Sequence, residues 1–296
     1  MRAALIFVAP VVAALLAALF LATQPRRADP AALAGVEGDA GRGARVFWAG
    51  GCASCHAAPK AEGDARLILS GGRRLVSPFG DFIAPNISSD PDHGIGGWSV
   101  ADLASALRHG TSPDGAHYYP AFPYTSYAKM TYQDIADLRA FLAGLPASDR
   151  PNAPHELGFP FNIRRAVGLW KLLYFDTEWV LQDAPTPKLA RGRYLAEALG
   201  HCGECHTPRN ALGGLDRSRW LAGGPNPAGK GRIPNITPAR LDWSEAEIAY
   251  YLETGFTPEF DSAGGEMAEV VENLSHLPPE DREALAAYLK AVPPVP

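Results

Sequence analysis

A pentapeptide of the form Cys-x-x-Cys-His occurs twice in the chain, at residues 52–56 and 202–206, and uses all four cysteines. This pattern is the attachment signature of c-type haem: both thiols add to the vinyl groups, and the adjacent histidine supplies an axial nitrogen. One helical turn presents these groups to one face of the porphyrin. The sequence therefore predicts two covalently bound haem c groups. Their predicted attachment and axial residues are Cys52, Cys55 and His56, and Cys202, Cys205 and His206.

Four cysteines also allow two other arrangements, which the pattern alone leaves open. One is a zinc site with four thiolate ligands. The other is a pair of Cys-x-x-Cys disulfides in a periplasmic redox protein. An all-thiolate zinc site does not require the histidine that ends each pair. Haem attachment is favoured because it uses every residue of both patterns.

The N-terminus carries an uncharged, almost wholly apolar run over residues 3–22, broken only by Pro10. Roughly 20 helical residues span a bilayer, whereas the apolar part of a secretory signal usually has about 7 to 15. We therefore predict a signal-anchor helix, with a cleaved signal as the alternative. Because c-type haem is attached outside the bacterial cytoplasmic membrane, we expect an inner-membrane protein with its haem domains in the periplasm.

The two pentapeptides belong to two repeats with the same order of segments. Matching segments are Pro85–Ser88 with Pro234–Thr237, and Trp98–Asp102 with Trp243–Glu247. In the second pair, a serine followed three residues later by a carboxylate predicts a capping box. The helices that follow are predicted at 100–108 and 245–253, each ending at a glycine. Each repeat closes with a predicted helix of apolar periodicity, residues 131–143 and 279–291.

A short helix is predicted to lead into each pentapeptide, over residues 43–51 and 191–199. Each repeat then resembles the layout of a class I cytochrome c domain. The predicted fold is mainly α, with two tandem class I cytochrome c domains behind an N-terminal membrane helix and little sheet. The predicted parts are the signal-anchor transmembrane helix (1–24), a linker (25–39), domain 1 (40–150), an aromatic-rich interdomain segment (151–183) and domain 2 (184–296).

Two methionines are the candidates for the second axial ligands. Apart from the initiator, the chain contains only Met130 and Met267, which lie before the predicted closing helix of each repeat. Core packing is the ordinary role of methionine, but equivalent places in a repeat favour iron ligation. Among six further histidines that form no matching pair, His117 is the alternative ligand. Methionine and histidine together close the iron, which favours electron transfer over chemistry on a substrate.

The sequence resembles the membrane-bound cytochrome c subunits of bacterial alcohol, aldehyde and gluconate-type dehydrogenases. The matching segments are 50–56, 124–127, 158–162, 200–210 and 265–271. The resemblance implies that electrons leave a catalytic dehydrogenase subunit, pass between the haems and continue to a soluble cytochrome, an oxidase or quinone. It implies three haem domains in the alcohol dehydrogenase members, whereas this chain has two haem motifs.

The predicted function is thus electron transfer by a subunit that is not itself an enzyme. The alternative is a dihaem redox enzyme, such as a cytochrome c peroxidase or a thiosulfate dehydrogenase. The first needs an iron that can open to peroxide, and the second is expected to use a spare cysteine. A cytochrome subunit of a terminal oxidase is a third hypothesis. The net charge of −5 argues against a nucleic-acid partner.

The interdomain segment, residues 151–183, is rich in aromatic side chains, so we expect it to pack across both domains. A docking surface or an interfacial amphipathic helix are the alternatives. Arg164 and Arg165 are candidates to neutralise haem propionates. Three acidic residues surround Met267 and could steer a basic electron carrier. They are Glu266, Glu269 and Glu272.

Overall fold

A computed structural model describes residues 2–229 and 231–296, with the side chains of residues 2–9 outside the described part. The described chain is mainly helical, as predicted. The α-helices are α1 (Arg2–Ala22), α2 (Ala40–Ala49), α3 (Cys52–His56), α4 (Val100–His109), α5 (Tyr124–Tyr127), α6 (Tyr132–Ala143), α7 (Val167–Tyr174), α8 (Pro187–Tyr194), α9 (Gly203–His206), α10 (Glu245–Thr254), α11 (Glu266–Ser275) and α12 (Pro279–Ala291). A π-helical turn, Leu195–Leu199, continues α8 towards the second pentapeptide.

The sheet content is small, as predicted. The strands are β1 (Arg74–Leu75), β2 (Gly80–Ile83), β3 (Glu156–Leu157), β4 (Gly224–Pro225) and β5 (Arg232–Ile233). Strands β1, β2 and β3 pair antiparallel in that order, with Arg74 opposite Ile83 and Gly80 opposite Leu157. Strands β4 and β5 pair in the second repeat, with Gly224 opposite Ile233.

In each repeat the entry helix crosses the closing helix at a glycine. A Cβ atom on Gly43 of α2 would lie 2.0 Å from the carbonyl oxygen of Asp137 in α6. A Cβ atom on Gly192 of α8 would lie 1.9 Å from the carbonyl oxygen of Ala284 in α12. Since atoms cannot approach so closely, any larger residue would push the helices apart. The two crossings therefore require glycine at matching places.

The middle helices begin and end as the sequence predicts. Ser99 and Ser244 each accept from the backbone N–H three residues on, and the carboxylates of Asp102 and Glu247 accept from the serine N–H. Both capping boxes are thus confirmed. Helices α4 and α10 each end at a glycine in the left-handed conformation.

The predicted N-terminal anchor, residues 1–24, lies partly outside the described residues. Within the part of the chain that the structure describes, no helix combines the length and the apolar character needed to cross a membrane.

The two repeats share one continuous core, and the interdomain segment packs against both. Buried apolar residues of the first repeat, such as Phe47, belong to the same cluster as Leu195 of the second. On α7, the Trp170 indole N–H donates to the carbonyl of Leu212, at 2.9 Å, in the second repeat. The ammonium of Lys171 donates to the carbonyl of Gly110, at 2.8 Å, in the first.

Candidate haem-binding site

The two pentapeptide histidines are held in the same way by the main chain. Nδ1 of His56 lies 2.8 Å from the carbonyl oxygen of Pro85, and Nδ1 of His206 lies 2.9 Å from that of Pro234. Because a carbonyl only accepts, each Nδ1 carries the hydrogen and each Nε2 keeps a free lone pair. Burial lowers the pKa of both imidazoles, more than these hydrogen bonds raise it. Both rings are therefore neutral and ready to ligate iron.

This geometry explains the repeated Pro-Asn-Ile segment. The Asn86 side-chain amide donates to the carbonyl of Ser148 at 2.8 Å, and that of Asn235 donates to Val295 at 2.8 Å. Each asparagine thus ties its segment to the chain that follows the closing helix. The proline carbonyl beside it is thereby fixed against the haem histidine. The sequence revealed this repeat, but nothing in it showed that a main-chain atom was the functional group.

None of the four cysteines is joined in a disulfide, so all four are available for haem attachment. Burial raises the pKa of Cys52 and of Cys202 to about 12, so both thiols are protonated at neutral pH. The zinc alternative needs the two pairs to converge on one point. Among the described residues, no three His, Cys, Asp or Glu side chains are grouped to hold a metal ion. Two separate thiol pairs, each followed by a neutral imidazole, fit haem c.

The two predicted methionine ligands do not occupy equivalent places. Met130 is 2% exposed and directly precedes the N-cap of α6. Met267 is half-buried in the first turn of α11, a helix that the sequence did not predict. Asp137 and Ala284 occupy matching places, because each contacts the glycine at its own helix crossing. Met130 lies seven residues before Asp137, and Leu277 lies seven residues before Ala284. Leu277, and not Met267, therefore matches Met130. The predicted equivalence is therefore wrong, while iron ligation by Met130 and Met267 stays a prediction.

Each pentapeptide is held by a side chain of the opposite repeat. The Asn273 amide on α11 donates to the Ser54 hydroxyl at 2.6 Å, and the Thr125 hydroxyl on α5 donates to the Glu204 carboxylate at 2.6 Å. Ser54 and Glu204 are the third residues of the two pentapeptides. We call this pair of contacts the reciprocal clamp. It places the two attachment helices, α3 and α9, against each other's repeat.

The two pentapeptides also begin side by side. Gly51 and His201, which precede them, both have left-handed backbone, with φ of 61° and 41°. A Cβ atom on Gly51 would lie 4.0 Å from Cε1 of His201. The Tyr127 ring packs edge-on against His201, and its hydroxyl donates to the Gly50 carbonyl at 2.8 Å. The starts of the two pentapeptides are therefore in contact across the boundary between the repeats.

The acidic residues around Met267 bridge the repeats. Glu269 and Glu272 form ion pairs with Arg73 and Arg66 of the first repeat. Glu266 lies 4.0 Å from Arg73. Since two arginines offset two of these three carboxylate charges, the three do not form the free acidic face that steering of a basic carrier requires. The steering hypothesis is therefore not supported.

Two of the three residues with predicted roles at a haem, His117 and Arg165, contact the N-terminal segment, and Arg164 contacts His117. His117 Nε2 donates to the Thr23 carbonyl at 3.0 Å, which ties the ring to the residue that follows α1. Arg165 donates to the Phe20 carbonyl at 2.9 Å, beside α1. Arg164 donates to the His117 carbonyl at 3.3 Å. Arg165 thus holds the end of α1, whereas Arg164 contacts His117. Their role at haem propionates stays a prediction.

Known proteins with similar sequences include cytochromes c and cytochrome subunits of dehydrogenases. The cytochrome c family model matches residues 40–146. A "Diheme cytochrome c-type" protein of Cereibacter sphaeroides is 66% identical over 92% of both chains. The fructose dehydrogenase cytochrome subunit of Gluconobacter japonicus is 38% identical over 85% of this chain and 52% of its own. The gluconate 2-dehydrogenase cytochrome c subunit of Pantoea cypripedii is 34% identical over 85% and 59%. This chain spans little more than half of the last two.

Proposed function

The chain belongs to the cytochrome c family and holds two covalently bound haem c groups, and from this premise we propose that it relays electrons for a dehydrogenase. The donor is a catalytic dehydrogenase subunit, and the acceptor is a soluble cytochrome, an oxidase or quinone. The relatives named as dehydrogenase cytochrome subunits support the donor. The chain itself performs no chemistry on the dehydrogenase substrate.

The reciprocal clamp is the observation that carries this proposal. Haem c, when bound, supplies one-electron exchange at iron. The protein's part is to hold two such groups close together and keep them there. Asn273 and Thr125 do this across the repeat boundary. Buried polar contacts of this kind specify one arrangement, because leaving any member unpaired is costly.

The proposed location is the periplasm, at the inner membrane, because haem attachment takes place outside the cytoplasm. The end of α1 packs against the first repeat through Thr23 and Phe20, so the proposal keeps this segment in the mature protein. Cell fractionation and N-terminal sequencing test both points. A mature protein that begins after residue 24, or one found in the cytoplasm, would contradict this part of the proposal.

The relay is tested by removing one haem at a time. Cys52→Ala with Cys55→Ala removes the first haem, and Cys202→Ala with Cys205→Ala removes the second. Each variant is purified with its catalytic subunit and mixed anaerobically with the substrate of that subunit, while haem reduction is followed by stopped-flow absorbance. Wild type should reduce both haems within the turnover time of the dehydrogenase, and each variant should lose delivery to the acceptor.

Different outcomes would reject the proposal. If electrons still reach the acceptor after either haem has been removed, a relay through both haems is excluded. Rapid peroxide consumption by the resting protein, or a high-spin haem, would favour the dihaem enzyme instead.

A further inference from the structure

Both repeats contain the same turn directly after the middle helix. In the first turn (residues 111–117), Ser112 N–H donates to the Ala116 carbonyl at 2.9 Å, and Gly115 N–H donates to Ser112 at 2.9 Å. In the second turn (residues 256–262), Thr257 N–H donates to Asp261 at 2.8 Å, and Phe260 N–H donates to Thr257 at 3.0 Å. A single β-bridge closes each turn. The turns are therefore equivalent, residue for residue.

The groove beside the first turn is filled by the chain's own N-terminal segment (residues 20–33). The backbone N–H of Ala28 donates to the Ser105 hydroxyl of α4 at 3.1 Å. Arg27 donates to the Pro113 carbonyl within the turn. As a result Thr111 is completely buried, and Ala28 is 5% exposed. The first repeat thus covers Ser105 and Thr111 with its own N-terminal segment.

The equivalent groove of the second repeat is open and has a volume of about 650 Å³. Three aromatic residues line it where the first repeat has small or polar ones. Tyr250 lies six residues after its capping serine, as Ser105 does, while Phe256 matches Thr111 and Phe260 matches Gly115. Their side chains are 55%, 50% and 93% exposed. Exposed aromatic clusters of this kind characterise protein interfaces. We call this surface the second groove.

Phe260 is held outward at a conformational cost. Its φ is 64°, in the left-handed region where the first turn has Gly115 with φ of 84°. A bulky residue in this region is an outlier whose backbone is strained. Its 93% exposure means that packing within the chain does not repay that cost. A contact between the Phe260 ring and another molecule would offset this cost.

The charges beside the two turns indicate the chemistry of that molecule. Arg27, which comes from outside the first turn, donates to the carbonyl of Pro113, the residue directly before Asp114, and Arg164 donates to the carbonyl of His117 at the end of the turn. A hydrogen bond from Ser112 and the charges of these two arginines lower the pKa of Asp114. Glu259 takes the place of Asp114 in the second turn and is exposed. A segment that filled the second groove in the same manner would bring a cation to Glu259.

We propose that the second groove binds an apolar segment of the catalytic dehydrogenase subunit, with an arginine or lysine of that segment opposite Glu259. The inference rests on the proposed function for the identity of the partner. Apolar contact surfaces are typical of permanent subunits, whereas carriers that must leave rely more on charge. The second turn leads within five residues to the start of α11 and to Met267. Docking there places the dehydrogenase beside the second haem site.

The test uses Phe260→Gly, which restores the residue found in the first turn. Because glycine adopts φ of 64° without strain, this variant should fold at least as stably as wild type. The catalytic subunit that co-purifies with the tagged holoprotein is separated and its affinity measured by biolayer interferometry. Phe260→Gly should weaken binding at least tenfold, as loss of a central aromatic does. Phe159→Gly is the matched control, since Phe159 is 82% exposed and lies outside the second groove.

The possible outcomes distinguish a failure of the proposed groove from a failure of the proposed function. Equal affinity of wild type and Phe260→Gly for the catalytic subunit would overturn the proposal that the second groove is the binding site. It would leave the proposal of a dehydrogenase partner unaffected. A holoprotein that retains no dehydrogenase subunit would overturn both. A dimer in sedimentation experiments that Phe260→Gly abolishes would assign the groove to a second copy of the chain. Weakening by Glu259→Lys, with unchanged thermal unfolding, would support the predicted cation.

Discussion

At the scale of single residues, the two proximal histidines have nearly identical surroundings. Both Nδ1 atoms donate to a neutral main-chain carbonyl, at 2.8 and 2.9 Å. A carbonyl fixes the ring without adding a charge close to the iron. Differences between the two haem potentials are therefore expected to arise on the other axial side, where Met130 is buried before a helix and Met267 lies inside one.

Replacing one methionine should change one haem only. Met130→Ala and Met267→Ala should each remove half of the methionine-to-iron(III) absorption at the red end of the visible spectrum. Each should also lower one reduction potential, because methionine ligation raises the potential of a histidine-ligated haem. Visible spectra and a spectroelectrochemical titration measure both effects.

Leu277 supplies the control for this experiment. It is 3% exposed and occupies the place in the second repeat that Met130 has in the first. Leu277→Ala should cost about 2–5 kcal/mol of stability by opening a cavity, yet leave the red absorption unchanged. A spectrum that changes with Leu277→Ala but not with Met267→Ala would refute the ligand assignment of the second haem.

At the scale of helices, the crossing of α2 and α6 is held by a buried carboxylate. Asp137 accepts from Arg42 Nε at 2.7 Å and from the Asp39 N–H at 2.7 Å. Burial alone would raise the pKa of Asp137, but these hydrogen bonds hold it below its ordinary value. Since the folded-state pKa is depressed, the contribution to stability is present above about pH 4 and is lost as the pH falls further.

Asp137→Asn should therefore reduce stability at pH 7 and change the response to acid. The gap in urea midpoint between wild type and variant should be largest at neutral pH and should shrink at pH 3. Asp149→Asn is the control, because Asp149 is exposed. A gap that stays constant from pH 7 to pH 3 would show that the carboxylate charge is not what stabilises the crossing.

The reciprocal clamp gives a second prediction at this scale. Asn273 donates to Ser54 and accepts from Arg66, at 2.6 and 3.1 Å, and is 2% exposed. Asn273→Ala should cost about 1–3 kcal/mol, because it leaves buried partners unsatisfied. Chemical unfolding measures this cost. Ser275→Ala on the same helix should have little effect, since Ser275 is exposed; equal losses would contradict the clamp.

The sequence predicted the helices whose signals are local, and missed those that depend on the other repeat. The capping serines and the closing glycines located α4 and α10 to within a residue. Helix α11 has no capping side chain, because its N-cap is Gly265 with φ of 58°. It is held by Arg73 and Ser54, which precede it by about two hundred residues. Such partners carry no local signal, so the sequence placed Met267 correctly before α12 but did not reveal that it lies within α11.

At the scale of the whole molecule, the repeats form one cooperative body. One continuous core contains buried residues of both repeats, and α7 donates hydrogen bonds to each of them. Two units that share a core cannot unfold separately without exposing it to water.

Unfolding of the holoprotein by guanidinium should therefore be a single transition. Tryptophan fluorescence and Soret circular dichroism should give coincident midpoints. Two separated transitions would show that the repeats are independent domains. The double variant Asn273→Ala with Thr125→Val removes both contacts of the reciprocal clamp and should lower the common midpoint. Of the variants described, it is the one most expected to give different midpoints by fluorescence and by circular dichroism.

The reciprocal clamp also sets an order of events during synthesis. Asn273 follows Ser54 by 219 residues, whereas Glu204 follows Thr125 by only 79. The first pentapeptide therefore emerges long before the side chain that covers it exists. The second pentapeptide emerges when its own covering residue has already been made. The enzyme machinery that attaches haem thus has a long interval to reach the first site, and a much shorter one to reach the second.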